Sequence, residues 1–216
     1  MIETFLIAAA IACGIPLAGA VVFLAIFLPL SLRGQTLLPR FAPTSVDGVT
    51  TLRDAVDDCR RFRGTELERV EHARSLVARK MTYSRRNPWD SPERCFERGF
   101  GYCVQQALAL ELILKGAGVE CWPAQALRCR FPAGRVHGRQ VPERVSGHMW
   151  LQARIEGSIV DIDQSRADVE LGLLGFDVLS PVTRPSRPCI AVMNVFSAAE
   201  NARRDLPALL GLESVS

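Results

Sequence analysis

Gly101-Tyr102-Cys103-Val104-Gln105-Gln106-Ala107-Leu108-Ala109-Leu110-Glu111-Leu112-Ile113-Leu114-Lys115-Gly116 is the stretch on which the reading of this chain turns. From Cys103 to Lys115 apolar residues fall nearly all the way round a helical period, and a helix with so little polar surface is buried. Gly99 and Gly101 break the chain just before it, and Gly116 and Gly118 supply its C-terminal stop. The spacing therefore predicts a buried helix that opens on a cysteine. A helix N-terminus favours an anion, and the thiolate is the nucleophilic form of cysteine.

Downstream, strands are expected at 119–130, 146–156 and 158–163, the last two joined by a hairpin turn at Gly157-Ser158. Alternation puts His148, Trp150 and Gln152 on one face, and Ile159, Asp161 and Asp163 on one face of the return strand. His148 and Asp163 then lie at the same end of the ribbon, with a cross-strand pair about 5 Å apart at Cβ. In chain order Cys103, His148 and Asp163 read as thiol nucleophile, base and orienting carboxylate of an acyl-transfer centre. Asp161 is the second choice for the acid. The Cys103 backbone N–H is the natural first oxyanion donor, and Asn87, Trp89 or Gln105 could supply a side-chain partner. His137, in a glycine-containing loop, and His72, on a helix ahead of the cysteine, are the competing bases.

Upstream, helices are expected at Thr51–Arg63 and Thr65–Met81. The second begins with the capping box Thr65-Glu66-Leu67-Glu68 and carries apolar positions Leu67, Val70, Ala73, Leu76 and Val77. Ser91-Pro92-Glu93 signals a short helix to about Gly99. Near the C-terminus, Ser197–Leu210 reads as a helix. Residues 4–32 carry no charged side chain, more than the ~20 residues a membrane-crossing helix needs. Arg33 and Arg40 follow that run and only Glu3 precedes it, so the expectation is a single-pass anchor with the C-terminal domain in the cytoplasm. The expected division is an anchor over 1–33, a linker over 34–50 and one domain over 51–216, with its core about 66–164.

The chain has seven cysteines and a net charge of +3. No Cys-x-x-Cys pair and no histidine at ligand spacing points to zinc, so no metal or cofactor is expected. The remaining cysteines, Cys13 in the apolar run aside, read mostly as small buried hydrophobes. The small net charge gives no reason to expect nucleic acid. Arg128, Arg130, Arg135, Arg139 and Arg144 crowd the approach to His148, with Glu143 the only acid among them. A solvated loop is the simpler reading, and contact with acidic substrate groups or lipid headgroups is the alternative.

From about Glu66 to Gln164 the chain resembles the transglutaminase-like core of the papain-like cysteine enzymes. The likeness rests on the helix ending in Tyr83, the helix Pro92–Arg98, Gly101-Tyr102-Cys103 with its buried helix, Gly118-Val119, His148-Met149-Trp150, and Asp163. The resemblance implies an α+β fold, with the cysteine helix packed on an antiparallel sheet and Cys103, His148 and Asp163 as the triad. It also implies a peptide or amide-containing substrate handled through an acyl-thioester, by a hydrolase or an acyltransferase. Glu97-Arg98-Gly99-Phe100-Gly101-Tyr102-Cys103 is similar as well to the Arg-Gly-Gly-x-Cys stretch of arylamine N-acetyltransferases. The chain departs from those by an extra residue before the cysteine and by Gln105-Gln106-Ala107 after it. A non-catalytic, membrane-tethered binding module on the same fold is the other alternative.

Overall fold

The computed structural model describes residues 42–204, apart from 85–87, 89, 137, 138 and 167, together with the isolated positions 21 and 25. The expected anchor over 4–32 lies outside the described residues, those two positions aside. Among the described residues no helix is long and apolar enough to cross a membrane.

The fold is α+β. Helices α1 (Leu52–Arg61) and α2 (Glu66–Lys80) precede a two-residue strand β1 (Thr82–Tyr83), helix α3 (Pro92–Arg98) and a matching strand β2 (Phe100–Gly101). Helix α4 (Cys103–Gly116) leads into β3 (Cys121–Phe131), then a small ribbon of β4 (Gly134–Val136) and β5 (Arg139–Val141). The long strand β6 (Arg144–Ile155), β7 (Ser158–Ile162), β8 (Asp177–Val178) and helix α5 (Arg187–Arg204) complete the described chain. The main sheet has the order β7-β6-β3-β8, antiparallel throughout.

Local chemistry accounts for most boundaries. Thr65 and Glu68 form the expected capping box: Thr65 Oγ1 accepts from Glu68 N at 3.2 Å, and Glu68 Oε2 accepts from Thr65 N at 2.8 Å. Thr51 and Asp54 repeat the device at the start of α1. Ser91 caps α3, Pro92 occupies its first turn, and Gly99, at φ 82°, ends it in the left-handed region. On α2, Val70, Ala73, Leu76 and Val77 are buried as expected. Leu67, in the first turn, is instead exposed.

Strand and helix ends differ from expectation by a residue or two, and the hairpin turn and the last helix differ for identifiable reasons. The β6–β7 hairpin turns at Glu156-Gly157, both at positive φ (50° and 82°), one residue earlier than expected. That is the primed turn which suits strand twist, here with a glutamate in its first position. Helix α5 begins ten residues before the expected Ser197, since Ser186 Oγ accepts from Cys189 N at 3.5 Å and Pro188 fits the first turn. The part of the expected helix beyond Arg204 lies outside the described residues.

The core lies between the helices and one face of the sheet. Ala109, Leu110, Ile113 and Leu114 of α4 cluster with Leu151, Ala153 and Ile155 of β6, Ile162 of β7, and the buried faces of α1 and α2. The opposite sheet face carries a second apolar group of Ala124, Ala126, Cys129, Trp150 and Phe176. Residues 42–50 are fastened to this body: Thr44 N donates to Glu97 O at 2.8 Å, and Lys80 Nζ donates to Thr44 O at 2.6 Å.

Candidate active site

Cys103 is the first residue of α4 and is 8 % exposed. Its approach is held from both sides. Thr82 N and Ser84 N each donate at 2.9 Å, to Gly99 O and Gly101 O, so β1 runs alongside the segment that delivers the cysteine. Beneath it a buried ion pair joins Arg98 to Asp90. Arg98 also donates to Phe100 O at 3.1 Å and lies over the Phe100 ring. Gln105 ties this knot to the helix: its Oε1 accepts from Tyr102 N and its Nε2 donates to Asp90 O, both at 3.2 Å. Gln105 thus works as a helix cap. Its rivals for the side-chain oxyanion role, Asn87 and Trp89, lie outside the described residues.

His148 sits on β6 beside the point where the β3–β6 register shifts, between Ala126 and Cys129. Its neighbour Met149 turns toward α4 and clusters with Tyr102, Cys103 and Val104. His148 turns the other way, into an aromatic box. Phe176 and Phe131 stand edge-on to the ring at 4.7 and 5.2 Å between centroids, and Trp150 stacks at 6.4 Å. Burial pushes the imidazole down to about 4; the negative charge of Asp163 opposes that shift, and the positive charge of Arg144 adds to it. His148 Nε2 is buried without a hydrogen-bond partner among the described residues. Cys129, fully buried on β3, packs in the apolar group with Trp150 and Phe176.

Asp163 follows the last residue of β7 and is 3 % exposed. The paired register ends at Leu151–Ile162, so one further step brings Asp163 beside Trp150 and on to the His148 face. No hydrogen bond joins Asp163 to His148. Asp163 Oδ1 accepts instead from Ser165 Oγ at 2.6 Å and Ser165 N at 3.1 Å, and its influence on the ring is electrostatic. Asp161 is engaged elsewhere, since its Oδ1 accepts from Trp150 Nε1 at 2.7 Å and Gln152 Nε2 at 2.9 Å.

The junction of these elements is Gln164. Its Nε2 donates to Cys103 O at 3.2 Å and to Met149 O at 3.1 Å, and the residue is fully buried. One carboxamide, next to Asp163, therefore ties the first residue of the cysteine helix to the backbone just after His148. From the other side α5 lies across the helix: Tyr102 donates its hydroxyl to Asn194 Oδ1, and Arg187 donates to Glu111 Oε2 at 2.7 Å.

The other candidates fall elsewhere. His137 lies outside the described residues. His72 Nε2 is 2.6 Å from Asp58 Oδ2, and its ring stacks on Phe62, so it fastens α2 to α1. It faces a separate open cleft of about 710 Å³, which none of Cys103, His148 and Asp163 lines. Burial raises the thiols of Cys59 and Cys129 to about 11 and that of Cys121 to about 12, and raises Cys95 further, as befits structural cysteines. Cys189 is exposed.

Sequence reasoning overlooked Gln164, Ser165, Phe131, Phe176 and Asn194, while Cys129 is the buried apolar thiol expected. Only Gln164 had a usable signal: extending the hairpin register past Asp163 puts it opposite Met149. No family model matches the chain, and no curated protein matches it.

Proposed function

We propose that this chain is a cysteine-dependent acyl-transfer enzyme of transglutaminase-like type, with Cys103 as nucleophile, His148 as base and Asp163 as the acid that biases the base. The observation that supports it most is the Gln164 carboxamide, which holds the Cys103 and Met149 carbonyls on one nitrogen. In this reading a substrate amide carbonyl is attacked by Cys103 Sγ while His148, neutral at rest, takes the thiol proton. The tetrahedral oxyanion faces the backbone N–H groups at the start of α4. Collapse breaks the C–N bond, and His148 gives its proton to the departing amine. Water, or a second amine, then resolves the thioester and returns the proton to sulfur. Anchoring through residues 4–32 belongs to the same proposal.

A binding module on this fold is the second reading. It draws on the Asp163 Oδ1 bonds to Ser165, where a triad acid would bond the imidazole. The deciding measurement is the rate of Cys103 alkylation across pH 4–9, with and without His148→Ala. The catalytic reading expects faster labelling in the parent below the ordinary thiol range, with an acid limb set by His148 and lost in the variant. Identical, ordinary thiol titrations in both proteins favour the module.

A further inference from the structure

Arg144 opens β6 and holds its guanidinium carbon 5.2 Å from the centroid of the Phe131 ring. Phe131 in turn stands edge-on to His148, also at 5.2 Å. The cation is thus one aromatic ring away from the imidazole, and it is exposed to solvent. Among the described residues no carboxylate pairs with it. The nearest acids in sequence and register, Glu143 and Asp177, face Arg130 instead, at 4.0 and 3.7 Å. Beyond the ring lies the buried His148 Nε2 with no partner. A surface cation commonly finds a carboxylate or points into open water; this one lies over a ring that packs against the candidate base.

We infer that Arg144 receives a carboxylate carried by the substrate close to the carbonyl that Cys103 attacks, so that the site selects anionic acyl donors over neutral ones. The inference rests on the reading of Cys103 as the nucleophile. It singles out one arginine from the basic loop and gives it a place beside the chemistry. Phe131 fixes the planar guanidinium for bidentate recognition, a geometry that a flexible ammonium does not reproduce. Across a gap on the order of 10 Å, with an effective dielectric between surface and bulk values, one such charge changes capture of an anion roughly 2- to 15-fold.

The test uses the whole chain in neutral detergent and two reagents that differ in charge, iodoacetate and iodoacetamide. Cys103 labelling by each is followed by peptide mass mapping in the parent, Arg144→Gln, Arg144→Lys and Arg128→Gln. Both reagents meet the same thiol, so any change in the nucleophile itself cancels in their rate ratio. The expected result is an iodoacetate preference that drops about threefold or more in Arg144→Gln. Arg144→Lys, which keeps the charge without the bidentate fork, should fall between the parent and Arg144→Gln, Arg128→Gln should leave the preference in place, and added salt should erode it in the parent. An unchanged ratio in Arg144→Gln, with Cys103 still labelled, overturns the assignment. A Cys103 inert to both reagents overturns the catalytic reading, and the anion preference with it.

Discussion

Gln164 donates a hydrogen bond to the carbonyl of Cys103 at 3.2 Å, across 61 residues of chain, from the position that follows Asp163. The same nitrogen serves Met149 O, so the side chain satisfies two buried acceptors at once. Removing a partner that leaves a buried acceptor bare costs about 1–3 kcal/mol, and Cys103 O keeps its own helical bond, so Met149 O is the acceptor at stake. Gln164→Leu is therefore expected to lower stability by roughly 1–3 kcal/mol in urea unfolding. It should also slow Cys103 labelling under native conditions, because the helix start loses its tie to β6. A loss under about 0.5 kcal/mol would show that water replaces the clamp.

Burial holds His148 near 4 against an ordinary 6.5, so between those values the unfolded chain binds a proton that the folded chain refuses. Stability is then fully present above 6.5, falls as pH drops from 6.5 to about 4, and levels off below. The full shift corresponds to about 3 kcal/mol. His148→Gln should flatten that portion of the stability–pH curve. Phe176→Ala, by wetting one wall of the box, should move the imidazole back toward 6.5, which NMR titration of the ring would register. A ring titrating at its ordinary value in the parent refutes the buried-base description.

Arg98 and Asp90 are both buried, and their pair anchors the segment ahead of Cys103. Arg98→Met is expected to cost about 3–5 kcal/mol, since it strands the Asp90 carboxylate. The double variant Arg98→Met with Asp90→Leu should recover a good part of that loss. Calorimetric melting of the two variants decides: a double variant no more stable than Arg98→Met would show that the stranded carboxylate is not what destabilises it.

Native-state labelling should distinguish the cysteines by place. Cys189 is exposed and should label promptly, and Cys103 reacts through the candidate site. Cys59, Cys95, Cys121 and Cys129 are buried with raised thiols and should label only after unfolding. Mass mapping after a brief exposure to N-ethylmaleimide gives the pattern. Prompt labelling of Cys129 would mean that the aromatic box opens readily.

Much of this architecture is legible in local chemistry. The Thr65 box, the Ser91-Pro92 start, the Gly99 stop and the apolar sweep of α4 each act within a few residues, so sequence spacing carries them. What escaped is non-local or locally contrary. A glutamate at φ 50° is an uncommon turn former, and it moved the hairpin by one residue. Phe131 and Phe176 meet His148 only because a register shift after Ala126 re-aims the end of β3 and because β8 pairs with it there. Gln164 has no motif of its own; its role exists only once α4 and β6 have met. The Ser186–Pro188 start of α5 was readable in principle, but Thr183-Arg184-Pro185 just before it has the composition of a loop.

The bond from Tyr102 to Asn194 spans 92 residues, and this separation sets a clock on biosynthesis. At ordinary translation speeds of about 5–20 residues per second, roughly 5–20 s pass between synthesis of the cysteine and synthesis of the residue that caps its neighbour. During that interval Tyr102, Val104 and Leu108 lack the cover of Ile190. A polypeptide interrupted before Arg187 would keep that apolar flank bare, a mark by which proteolysis can tell unfinished copies from complete ones.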